Sequence, residues 1–214
     1  MIAQIYNQIQ NITAKLILTG LSVQQNFPSI NNEFIYISGN NELSVALKNI
    51  SYEEIYSVLD RENNYNVKMI DGALIQLMYS FKDAIISKHR LAFFPSPSLE
   101  EFQNNSEIYE NDEIYADIID RNIVSTPIRF DYDPSNYLSV EHPRSHLTIG
   151  QYKNCRIPVY APITPNIFIN FILKNFYNTA TIKFSDDLEF KGEPLFPVSI
   201  DNYERKILHI SLGV

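Results

Sequence analysis

Residues Ser125 to Val159 hold the side chains with which this chain could do chemistry. They are Arg129, Asp131 and Asp133, then Glu141, His142, Arg144 and His146, then Cys155 and Arg156. Imidazoles exchange protons near neutral pH, and guanidiniums grip phosphate through paired N–H donors. Cleaving a phosphodiester needs a group to take the 2′-hydroxyl proton, a group to protonate the leaving oxygen, and positive charge on the phosphate. His142 and His146 can supply the acid–base pair, and Asp131 or Asp133 can orient one imidazole. Arg129, Arg144 or Arg156 can hold the phosphate.

The same residues allow other readings. His142 and His146, with Asp131, Asp133 and Glu141, form a mixed N/O set that suits a divalent metal such as Mn, Zn or Fe. Pro143 keeps the His142–His146 spacing off a helix, so both would ligate from an extended backbone. A third reading needs no site at all. Arg129 beside Asp131 and Asp133 then makes a salt-bridge ladder on a solvated sheet face, worth little energetically, and His146 donates to a backbone carbonyl. Cys155 beside Arg156, in an apolar strand, reads as inert core.

Two strands must position these groups. Arg129, Asp131 and Asp133 alternate with Ile128, Phe130 and Tyr132, a period of two that puts charge on one face. Pro134 cannot donate to a ladder and ends the strand. Ser145 to Gly150 alternates in the same way, with His146 and Thr148 opposed to Leu147 and Ile149. Register decides whether a site exists, because a slip of one residue moves a side chain to the other face. Asp131 opposite His146 places Arg129 near Thr148 and lets Ile128 and Phe130 share a core with Leu147 and Ile149. Asp131 opposite Leu147 would dissolve the cluster. The apolar pattern favours the first register.

The remaining chain reads as scaffold. Met1 to Leu18 carries Ile2, Ile5, Tyr6, Ile9, Ile12 and Leu16 on one helical stripe, closed by Gly20. Glu33 to Ser38 and Glu42 to Lys48 read as strands around Gly39-Asn40-Asn41. Ser51 and Glu54 make a capping box that opens a helix through Ile55, Val58 and Leu59. Asp71-Gly72 joins a hairpin of Asn66–Ile70 and Ala73–Phe81. Ile85 to Phe94 continues the meander until Pro95 and Pro97, with His89 and Arg90 expected at its surface or rim. Residues 98–121 form an acidic helical insertion, with a second capping box at Ser98 and Glu101 and an apolar stripe at Ile114, Tyr115, Ile118 and Ile119. After a third strand at Cys155 to Val159, Thr164 and Pro165 open a strongly apolar helix through Ile167, Phe168, Phe171, Ile172 and Phe176. Lys206 to Leu212 reads as a last strand carrying His209.

The totals set bounds. A chain of 214 residues, 45% hydrophobic and 20% charged, can bury a substantial core as one domain. A net charge of −8 argues against a broad phosphate-binding surface but leaves room for a local basic site. A single cysteine excludes an internal disulfide and fits a reducing compartment. The longest apolar window, Leu16 to Val23, is far too short to span a bilayer, so a cytoplasmic protein with no membrane partner is expected. The fold expected is α+β: one domain over residues 1–214, with a mainly antiparallel twisted sheet.

Four segments carry a resemblance: R-F-D-Y-D-P at Arg129–Pro134, H-P-R-S-H-L-T-I-G at His142–Gly150, C-R-I-P at Cys155–Pro158 and F-I-L-K-N-F-Y at Phe171–Tyr177. Through them the chain resembles a family of uncharacterised bacterial proteins catalogued as a domain of unknown function. R-L-A-F-F-P at Arg90–Pro95 extends the likeness more loosely. The resemblance implies a bacterial mobile-element or phage-defence setting, with a protein partner from a defence or toxin-like operon. It implies no site residues. A weaker similarity is to small ribonuclease toxins that pair an acidic R-x-D-x strand with a nearby H-P-x-x-H, at shorter spacing than here. The expectation is therefore a ribonuclease-like protein using Arg129, Asp131, Asp133, His142 and His146. The alternative is a non-catalytic subunit that docks through its acidic segment.

Overall fold

In a computed structural model of the chain, the described residues are 1–31, 33–36, 50–98, 106–117, 125–152 and 154–212. Helix α1 (Ile2–Leu18) buries Ile5, Ile9, Ile12 and Leu16 on one stripe. It ends in a Schellman motif. Gly20 N–H donates to Ile17 O at 3.1 Å and Leu21 N–H to Leu16 O at 2.9 Å, and Gly20 takes the positive φ of 73° that this closure needs. Short strands β1 (Ser22–Gln25), β2 (Ser29–Ile30) and β3 (Phe34–Tyr36) follow. The second strand expected at Glu42–Lys48 lies outside the described residues. Helix α2 (Tyr52–Arg61) starts on the expected capping box. Ser51 Oγ accepts from Glu54 N–H, and Glu54 Oε2 accepts from Ser51 N–H.

A meander then builds the sheet from β4 (Val67–Met69), β5 (Leu74–Lys82) and β6 (Ile85–Phe94). Gly72, at φ +82°, makes the first turn as expected. The second turn uses Asp83 and Ala84, both at positive φ. That conformation fits a tight hairpin, but no Asn-Gly or Asp-Gly announces it. Within the acidic segment, the described residues form α3 (Ser106–Asn111) and a 3-10 turn at Glu113–Tyr115 with Ile114 buried. Ile118, Ile119 and Glu101 lie outside the described residues. Strands β7 (Ile128–Tyr132), β8 (Ser145–Ile149) and β9 (Ile157–Pro158) continue the sheet. Helices α4 (Pro165–Phe176) and α5 (Asn178–Lys183) close the fold.

Among the described residues, nine strands form one antiparallel sheet in the order β1-β4-β5-β6-β7-β8-β9, with β3 beside β4 on the same edge of β5 and β2 outside it. One face carries Leu77, Leu91, Phe130 and Leu147, and α1 and α4 cover it. Phe168 and Phe171 of α4 meet Phe130 edge-on, with ring centroids 6.1 and 5.8 Å apart. Thr164 Oγ1 caps α4 by accepting from Ile167 N–H, and Pro165 occupies its first turn. Each fully buried Phe, Ile or Leu on this face contributes about 1.5–3 kcal/mol of transfer free energy. On the opposite face, Tyr56 and Leu59 of α2 pack at one end on Leu74, Ala92 and Phe94. Three layers result at that end, and farther along the same face Asp131, His146 and Thr148 of β7 and β8 are also buried.

Two expected strands are shorter than their alternation suggests. The third strand shrinks to Ile157–Pro158, because the Cys155 and Arg156 N–H groups donate to Tyr152 O and Asn154 O in the turn before it. Lys206–Leu212 is not a strand. A 3-10 turn occupies Glu204–Lys206, and a single parallel bridge joins Ile210 to Val159. Ile207 and Leu208 face solvent instead of a second layer, so the alternation there has nothing to pack against.

Candidate functional site

The register of β7 and β8 is the one the apolar pattern favours: Asp131 pairs with His146, and Arg129 with Thr148. On the other side of β7, Asp131 pairs with Arg90 and Arg129 with Ala92. Across the sheet this makes a row of Met78, Arg90, Asp131, His146 and Pro158 on the face that α2 packs against at one end.

Asp131 is the centre of the row. Its Oδ1 accepts from Arg90 Nε at 3.0 Å, and its Oδ2 lies 3.5 Å from Arg129 Nη2. Burial pushes this carboxyl up, but the two guanidiniums more than offset it and bring Asp131 down to about 2. Arg90 was expected at the surface or rim. Instead it is the closest partner of Asp131, with its side chain only 23% exposed. The alternation of β6 puts Arg90 on the face of Ala92 and Phe94, and only the identity of its neighbour strand was hidden in the sequence.

His146 is 4% exposed. Its Nδ1 lies 2.8 Å from Pro143 O, and a carbonyl can only accept. Nδ1 therefore carries the hydrogen and, in the neutral ring, Nε2 carries the lone pair. The orienting group for His146 is this carbonyl rather than Asp131 or Asp133. Burial pushes the imidazole below its ordinary value, against the pull of Asp131. His142 packs edge-on against His146 with ring centroids 4.9 Å apart. The paired backbone bonds between Leu138 and His142 hold it there. Arg156 is near enough to act electrostatically on both His146 and Arg129. Two guanidiniums, those of Arg90 and Arg129, hold the Asp131 carboxylate.

Two other predicted residues are placed differently. Asp133 accepts from Ser135 Oγ at 2.6 Å and Asn136 Nδ2 at 2.9 Å, and Lys88 Nζ lies 3.2 Å away. Burial raises this carboxyl, and those three donors outweigh it and hold it at about 2. Asp133 anchors the turn after β7. Arg144 stacks over the Tyr137 ring at 3.6 Å and donates to Ser199 O, so it joins the C-terminal segment to the β7–β8 connection. Among the described residues, no three His, Cys, Asp or Glu side chains converge in a metal-binding group. The mixed N/O set read from the sequence is dispersed because Asp131 and Asp133 are committed to cations and turn donors.

His89 lies on the core face and is 2% exposed, where a surface position was expected. Its Nε2 accepts from Ile163 N–H at 3.3 Å, while Tyr79 Oη donates to Ile163 O at 2.8 Å. These two sheet side chains pin the peptide that leads into α4. Burial drives His89 down to about 4. A groove of about 390 Å³ lies elsewhere, at the N-terminus of α2, lined by Ser51, Tyr52, Glu53, Pro97 and Ser125.

Residues 21–212 match the family described as an uncharacterized conserved protein (DUF2290), and the chain belongs to that family. The kinship seen in the second half of the sequence therefore extends through the meander to the end of α1. No curated protein and no solved structure matched the chain.

Proposed function

We propose, for this member of the DUF2290 family, that the Asp131–His146 face processes phosphodiesters in the manner of a ribonuclease, within a bacterial defence- or toxin-like protein. The observation that supports the reading is the pairing of two guanidiniums, Arg90 and Arg129, with Asp131 beside one tautomer-fixed imidazole on the same sheet face. Arg129 and Arg156 supply the charge that a phosphate requires, and Asp131 holds Arg129 and Arg90 side by side. His146 Nε2 takes the 2′-hydroxyl proton, and His142 returns a proton to the leaving oxygen. Asp133 and Arg144 play no part in the chemistry in this scheme. The test is turnover of an oligoribonucleotide by the purified chain. His146→Ala should lower the rate by about 10²–10⁴-fold, and unchanged turnover would end the proposal.

A second reading, a non-catalytic subunit of a larger defence complex, is favoured by the exposed Glu107, Glu110 and Glu113. Part of the acidic segment is already spent within the chain. Asp117 accepts from Thr179 N–H and Oγ1 at 2.7 and 3.1 Å, and Lys183 Nζ lies 3.7 Å from Asp112. A stoichiometric protein partner lost on neutralising the three glutamates would favour this reading over catalysis.

A further inference from the structure

His146 takes its tautomer from the Pro143 carbonyl, so whatever holds Pro143 decides which ring nitrogen is free. Pro143 itself is buried. Just before it, paired backbone bonds between Leu138 and His142 close a turn, and within that turn Val140 takes φ +67°. A β-branched residue keeps that left-handed conformation only where its surroundings impose it.

The C-terminal segment imposes it. Val140 N–H donates to Oε1 of Glu204, a side chain in a residue only 1% exposed. Tyr137 Oη and Ser139 Oγ both donate to Oδ2 of Asp201. On the far side of Pro143, Arg144 Nη1 donates to Ser199 O at 3.3 Å, and Ser199 Oγ donates to Ser145 Oγ at 2.9 Å. Residues 199–204 therefore grip the chain both before and after Pro143.

The two acids also fix each other. Glu204 N–H donates to Asp201 Oδ1 at 2.8 Å, and Asp201 N–H donates to Glu204 Oε2 at 3.0 Å. Burying a carboxylate is costly. Here the two oxygens of Glu204 serve two backbone N–H groups, one in its own segment and the other that of Val140. A carboxylate spent in this way joins two distant stretches of chain at the point where one of them is strained.

We propose that Asp201 and Glu204 are positioning residues for the histidine pair. By clamping residues 137–142 they set His142 edge-on against His146 and keep the Pro143 carbonyl on His146 Nδ1. Their bonds go to Tyr137, Ser139 and Val140, so they act on both rings through the turn. The effect on turnover rests on the reading of His146 as the base; the effect on its tautomer does not.

Long-range proton–nitrogen correlation spectra of the full chain at neutral pH test this, with the His146 signals assigned by their loss in His146→Gln. The wild type should show Nδ1 protonated and Nε2 bare. Glu204→Gln and Asp201→Asn each replace an accepting oxygen with a donor, and each should move His146 toward a mixture of tautomers. Adding Val140→Gly to Glu204→Gln should restore the wild-type signals, because glycine takes the positive φ unaided. Tyr137→Phe with Ser139→Ala removes two donors to Asp201 without touching the buried Glu204, and should shift the tautomer even if Glu204→Gln does not fold. On an oligoribonucleotide, the clamp variants should lose about 10–100-fold in kcat with KM unchanged. A wild type protonated on Nε2 overturns the proposal, as does a His146 tautomer that every folded clamp variant leaves unmoved. A wild type that cleaves nothing while its tautomer follows the clamp supports the positioning role and ends only the ribonuclease reading.

Discussion

Asp131 and His146 face each other directly across β7 and β8, yet the Asp131 carboxylate is held by Arg90 and Arg129 and the His146 ring by the Pro143 carbonyl. The two groups share a face and a field rather than a hydrogen bond. The carboxylate concentrates positive charge beside an imidazole that has been turned, by a turn carbonyl, to present Nε2. A sequence reading that makes the acid the imidazole's orienter assigns the right neighbours and the wrong bond.

The first prediction concerns stability at the row. Asp131→Asn keeps the shape and removes the charge, leaving Arg90 and Arg129 half-buried without a counterion. Breaking a fully buried pair costs about 3–5 kcal/mol, and partial exposure of both arginines places this loss at about 3 kcal/mol or below. Urea unfolding midpoints of wild type and variant measure it. An unchanged midpoint would mean that the arginines are already solvated.

A second prediction follows from His89. Its pKa is near 4 when folded and near 6.5 when unfolded, so the unfolded chain binds the proton first as pH falls. The contribution of neutral His89 to stability is therefore fully present above about 6.5 and is lost as pH falls to about 4. His146, shifted in the same direction by burial, adds to this window. Asp131 and Asp133, both near 2, contribute their loss only below about 4. Denaturation midpoints between pH 7 and 4 should fall by an amount that His89→Gln reduces. A flat profile in the wild type would contradict the burial of His89.

Third, the β5–β6 turn is open to improvement. Ala84 sits at φ +63°, a left-handed position costing an alanine roughly 1–2 kcal/mol, part of which glycine's greater unfolded freedom would offset. Ala84→Gly should raise stability by about 0.5–1 kcal/mol, seen as a higher thermal midpoint. A lower midpoint would place the turn in another conformation.

Much of the fold was legible because local signals and packing agree. The α1 stripe with Gly20, the Ser51–Glu54 box, the Asp71-Gly72 turn and the Thr164-Pro165 start of α4 all stand where the sequence puts them. The β7–β8 register was legible for the same reason, since one slip would have exposed Phe130 and Leu147. Failures arose where the deciding partner is distant in sequence. Arg90 and His89 lie on adjacent residues of β6 but on opposite faces, and only the placement of β7 and of Ile163 shows what each one meets. Asp133 lies in phase with Asp131, but the turn that follows β7 captures it through Ser135 and Asn136. The Lys206–Leu212 alternation failed because periodicity says which side chains share a face and not whether another layer exists to cover them.

The measurement closest to the central claim is oligoribonucleotide cleavage by wild type, His146→Ala and Asp133→Asn, assayed side by side with folding confirmed for each. The account predicts measurable wild-type turnover, its loss in His146→Ala, and retention in Asp133→Asn, whose carboxylate serves the turn and Lys88. Turnover that survives His146→Ala, or a folded wild type that cleaves nothing, would contradict a phosphodiester-processing site on this face.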